Sequence, residues 1–145
     1  MYKYALLLHL LCATIWTGGH LVLATTVLPR ALRARDPRIL QDFEQGFERI
    51  GMPALLLQIL TGLYMAHTLL PPSQWLDSHL VAHLIQIKLG LLLLTLLTAL
   101  DARFRVIPHL SAATLPAMGR RIAFVTTLSV LFVVTGLSFR GWLGM

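Results

Sequence analysis

Four apolar runs, each close to the length of a membrane crossing, leave this chain few architectures to adopt. They read as roughly Tyr4 to Leu28, Met52 to Leu70, Leu80 to Leu100 and Ile122 to Trp142. About 20 apolar residues are what an α-helix needs to cross the hydrocarbon core of a bilayer. Lipid offers no partner to a backbone N–H or C=O, so a run of this kind spans as a helix, which satisfies its own hydrogen bonds. The composition agrees, with 57% of residues hydrophobic and 12% charged, where a soluble domain carries about 25% charged. The expectation is an all-α polytopic membrane protein, one domain over residues 1–145. Short connections between successive spans imply an antiparallel up-and-down bundle of four transmembrane helices. Lys3 before an apolar stretch suggests a signal peptide, but the stretch runs on for about 25 residues and lacks a small-residue cleavage site. The stretch His9-Leu10-Leu11-Cys12 fits a lipoprotein box poorly, so the first run is read as a mature helix.

The formal net charge of +6 is a topology signal here. Arg30, Arg33, Arg35, Arg38 and Arg49 follow span one, and Arg103, Arg105, Arg120 and Arg121 follow span three, whereas the other side has Lys3 and Arg140. By the positive-inside rule the two arginine-rich connections are cytoplasmic, and both termini and the Pro71 to His79 loop face outward. Tyr2, Tyr4, Trp75 and Trp142 then form an aromatic belt at the outer interface. Pro29 is expected to close span one, and Asp36-Pro37 reads as a cap and first helical position. Ile39, Leu40, Phe43, Phe47 and Ile50 recur at helical spacing beyond it. Whether this amphipathic stretch lies in the interface or runs on into span two turns on Gly51 and Pro53. Pro71-Pro72 ends span two, and Pro108 with Pro116 breaks the inner loop before Gly119.

His9, His67 and His83 stand on three different spans, each about 10 Å from mid-span toward the outer face at a rise of ~1.5 Å per residue. They can form one ligand layer. Ionisable groups inside a membrane are rare unless they pair, bind a metal or cofactor, or line a path. Cys12 is one turn deeper on the His9 face, Met65 lies nearby on span two, and His79 precedes His83 by one turn. Lys88 is nearer the midplane of span three, and His20 faces as His9 does but in the inner half. Haem b needs two imidazoles projecting into a bundle core from opposite sides. A copper ion takes three imidazoles, or imidazole with the soft sulfurs of Cys12 and Met65. A proton relay through Lys88 or a histidine is the third chemistry. Cys12 and Met65 also suit plain packing, and Gly18, Gly19, Gly62, Gly90 and Gly136 suit close helix approach. His109 reads as a loop residue. The single cysteine excludes an intramolecular disulfide, and a second bis-histidine haem lacks a partner for His20.

The segment from His9 through Trp16-Thr17-Gly18-Gly19-His20 resembles the opening of the copper-resistance protein D (CopD) family, and Thr61-Gly62-Leu63 is similar to its Thr-Gly-Leu. Lys88-Leu89, the run Asp101 to Arg105 and Pro108 resemble that family's third span and basic exit. The resemblance implies copper handling at the bacterial inner membrane, with a metal or haem site near the periplasmic face built from His9, His67 and His83. HemJ-type protoporphyrinogen IX oxidases look like relatives through His9, Lys88, Leu28-Pro29-Arg30 and Met52-Pro53-Ala54. That likeness implies a haem b redox role, electron transfer or porphyrinogen oxidation, although Asp101 stands where a histidine is expected and span four has no Asn-Glu-x-Pro. The partners implied are the lipid bilayer, a copper carrier or redox protein, and a second copy in a homodimer. Nothing resembles a nucleic-acid module, a hydrolase triad or a phosphate-binding loop.

Overall fold

Proline decides how the helices of the arginine-rich end are built. In the computed structural model, which describes residues 1–139, the first span is α1 (Tyr2–Val22), a π-helical turn at Leu23–Val27, and α2 (Leu28–Ala34). Pro29 lacks an N–H, and its ring crowds the carbonyl four residues back. The wider turn just before it opens that spacing, so the helix continues. The expectation that Pro29 closes span one is thereby corrected: the helix stops instead at Arg35, which takes a left-handed conformation with φ 51°. The third span repeats the device. Its helix α4 (Leu80–Asp101) passes into a π turn at Ala102–Val106 just before Pro108, and a short 3-10 turn at Ile107–His109 ends it.

Helix α3 (Pro37–Leu69) resolves the question of the amphipathic stretch. It is one helix of 33 residues, about 50 Å long, so its first turns extend beyond a hydrocarbon core of about 30 Å. Asp36 caps it as expected, accepting the Arg38 main-chain N–H at 3.0 Å. The Arg38 side chain and N–H bonded to it hold the Asp36 carboxyl below the ordinary carboxylate range. The fourth span, α5 (Leu115–Ser138), starts ahead of the expected Ile122. Pro116 sits in its first turn, where a missing N–H costs nothing, and does not break the loop. The expected end of this span at Trp142, with Arg140, lies outside the described residues.

Four helical segments are long and apolar enough to cross a membrane, and no strand occurs among the described residues. α1 packs along α3 and against α5, and α5 packs against α4. α3 and α4 approach less closely than these pairs although they are consecutive, leaving a wider gap between the second and third spans. At the arginine-rich end that gap is bridged by an ion pair between Arg103 and Glu48, while Arg121 holds Asp101 at 2.7 Å. The largest apolar core lies at this end, where Leu23, Ala31, Leu40, Leu115 and Met118 pack together. At the opposite end Trp75 donates its indole N–H to the Leu70 carbonyl at 2.8 Å, and Gln86 donates to the Trp75 carbonyl at 2.9 Å, which fastens the loop to α4.

Phe47 joins α3 to α1 through two glycines. A methyl group at Gly19 would collide with its ring, and one at Gly51 would meet the same ring at 2.8 Å. The ring also stacks on Phe43 at 5.7 Å and leans on Trp16 at 6.3 Å. Gly19→Val therefore overpacks this seam, and losses of about 1–3 kcal/mol are typical of such insertions. Thermal unfolding in detergent should show a lowered Tm for Gly19→Val and partial recovery when Phe47→Ala is added. An unchanged Tm for the single variant would contradict the packing described.

Candidate functional site

His9 is half-buried and turned onto α3. Its Nδ1 lies 3.0 Å from the Gln58 carbonyl and 2.9 Å from the Thr61 hydroxyl. Thr61 spends its own proton on the Leu57 carbonyl at 2.7 Å, so its oxygen accepts from His9. Both partners of Nδ1 are acceptors, which makes Nδ1–H the donor and leaves the Nε2 lone pair free. Gly62 makes the approach feasible: a methyl group there would stand 3.1 Å from the imidazole Cε1. A ring nitrogen donated to a main-chain carbonyl is the usual support of a metal-binding histidine.

The His9 contact sets the register of two antiparallel helices. Met65 lies one turn beyond Thr61, about 5 Å toward the Pro71 end, and Cys12 lies about 5 Å from His9 toward the arginine-rich end. Both are buried, with Cys12 3% and Met65 9% exposed. His9, Cys12, Trp16 and His20 follow one another along one face of α1 at spacings of three and four residues. The donors thus succeed one another along the bundle axis.

His67 and His83 stand apart from this series, both exposed. The same register puts His67 about 8 Å nearer the Pro71 end than His9. His83 precedes Lys88 by five residues, also about 8 Å along α4. The Lys88 ammonium faces the Phe139 ring at 5.4 Å from the centroid, and a methyl group at Gly136 would stand 3.5 Å from its nitrogen. The expected layer of His9, His67 and His83 is therefore not gathered around one point. Among the described residues no three of histidine, cysteine, aspartate and glutamate come together to hold a metal ion. His79 has a local task, its ring accepting the Ala82 N–H at 3.3 Å as the cap of α4.

His20 lies toward the arginine-rich end, beside a cavity of about 120 Å³. Its Nδ1 donates to the Trp16 carbonyl at 2.9 Å, its ring lies 4.4 Å from Trp16 and meets Phe47 edge-on at 5.7 Å. Nε2 is again left free. Glu44, Glu48, Met52, Met118 and Arg103 share the cavity wall. Sequence reasoning overlooked Glu44 and Met52 as well as Thr61 and Gln58. The signal was available for the first pair, since Glu44, Glu48 and Met52 recur every four residues and share one helix face.

A sequence pattern described as copper resistance protein D, CopD, matches residues 41–139. The chain belongs to the CopD family. Curated proteins and solved structures gave no match, and the likeness to HemJ-type oxidases therefore has no counterpart there. The CopD match takes in Thr61, Met65, His67, His83 and Lys88 but begins after α1. His9, Cys12 and His20 join those CopD residues through the packing of α1 on α3. If the His9 contact is as described, ¹⁵N NMR of labelled protein should report the Nδ1–H tautomer at His9. Thr61→Val should shift the His9 signals while leaving those of His20 in place, and shifts confined to other residues would contradict the contact.

Proposed function

We propose that this CopD-family protein carries copper through the interior of its bundle, in the bacterial inner membrane, with the arginine-rich end in the cytoplasm. The observation that carries the reading is the succession of donors along one axis, Met65 and Cys12 buried and His9 and His20 half-buried. Soft sulfur and imidazole suit Cu(I), and each of the two interior histidines keeps Nε2 free for a ligand. Donors spaced along an axis suit a travelling ion, which must be held well enough to enter and loosely enough to leave. His67 and His83 are the collecting pair at the periplasmic mouth, where a copper-carrier protein would deliver or receive the ion. Copper enters here as cargo, and no bond-making step is required of the protein.

A haem b would need two imidazoles facing each other across one slot. His9 is turned onto α3, His67 and His83 are exposed, and the 120 Å³ cavity at His20 is smaller than the roughly 300 Å³ at which ligand pockets begin. The residues of a single chain do not fit that group.

Proteoliposomes holding a trapped Cu(I) chelator test the proposal. His9→Ala, Cys12→Ser and Met65→Leu should each lower copper flux about tenfold or more, the scale on which even supporting residues of metal sites act. Leu93→Ala, on an exposed apolar position, should not. Wild-type flux in all three donor variants would overturn the reading.

A further inference from the structure

Lys88 is a half-buried ammonium eight residues into α4, about 12 Å from the start of that helix. No ion pair or hydrogen bond to it exists among the described residues. The chain has six acidic residues, and they stand elsewhere. Asp36, Asp42, Glu44, Glu48 and Asp101 belong to the arginine-rich end, and Asp77 is exposed in the outer connection. The Phe139 ring at 5.4 Å offers quadrupole attraction, which is weaker than the compensation a desolvated charge requires. Opposite the ammonium, Gly136 withholds a side chain and leaves room. On α3 the Gln58 amide Oε1 is buried without a partner, one turn from the Thr61 that holds His9, and a water accompanying an ion would satisfy it.

We propose that Lys88 anchors a singly charged anion, a halide or a carboxylate, in the middle of the bundle. Its role rests on the copper reading, although the anion site itself does not. A cation travelling through the bundle must pass the Lys88 ammonium, and inside a membrane that repulsion is poorly screened. An anion on Lys88 removes it and supplies a further ligand to the metal. Copper would then pass His9 as an ion pair with its anion, a less costly species in low dielectric than the bare cation.

Chloride line broadening in ³⁵Cl NMR, recorded on the copper-free full chain in detergent, tests the site directly. Wild type should give saturable broadening that Lys88→Met abolishes and Lys88→Arg retains. Should Lys88→Met fail to fold, Gly136→Leu, which fills the space opposite the ammonium, should give the same loss. Reversal by acetate identifies a dissolved carboxylate as an alternative occupant, and reversal by oleate alone identifies a lipid one; both support the site. Broadening equal in wild type and Lys88→Met overturns it. A Cu(I) chelator competition in chloride and in nitrate then tests the role. Binding by wild type that tightens in chloride more than binding by Lys88→Met supports co-transport, and equal tightening overturns it. No Cu(I) binding by wild type at all would sink the copper reading and leave the chloride result standing by itself.

Discussion

The bond from the His9 imidazole to the second span determines where everything else in this interior falls. It joins α1 to α3 at Gln58 and Thr61, and because the two helices are antiparallel, one such contact sets their whole register. Gly62 permits it by leaving room at Cε1, and Phe47 repeats the closure about three turns away by filling the spaces at Gly19 and Gly51. Between these two fastenings lies the seam on which Cys12 and Trp16 are buried.

The bundle is unevenly closed, and the membrane explains why that is tolerable. Association of spans in lipid depends on close packing and polar contacts. The arginine-rich end has both, in the Leu23, Leu40 and Leu115 core and the Arg103–Glu48 and Arg121–Asp101 pairs. Elsewhere α3 and α4 pack less closely than the other neighbours, and their apolar flanks can be covered by lipid without the cost that water would impose on apolar surface. Hydroxyls in the spans remain quiet because they bond back along their own helices: Thr95 to Leu91, Thr126 to Ile122 and Ser129 to Thr126. Among the described residues Lys88 takes part in no ion pair, and the Gln58 amide oxygen is buried without a partner.

Much of this was legible in the residues alone. Apolar run lengths marked the four spans, and Asp36-Pro37 marked the start of α3, because lipid exclusion and helix capping act over a few residues. Pro29 and Pro116 misled for an equally local reason. A π turn of five residues can absorb one proline, and a first helical turn can accept the other, and neither outcome depends on the proline itself. Depth counted from the centre of each span put His9, His67 and His83 in one layer. That count treats each helix as centred in the membrane, whereas α3 extends well past it on one side and its register against α1 is set by His9. Thr61 and Gln58 were missed because their role exists only across two helices. His20 was read as facing the way His9 does but deeper along the helix, and it lines a cavity at the arginine-rich end.

X-ray absorption at the copper edge on Cu(I)-loaded protein in detergent tests the central claim, that interior donors of mixed softness hold the metal. The account predicts a first shell containing both nitrogen and sulfur scatterers, with the sulfur contribution reduced when Cys12 and Met65 are replaced together. A shell of nitrogen and oxygen alone, unchanged by that double replacement, would put the copper elsewhere on the molecule and contradict it.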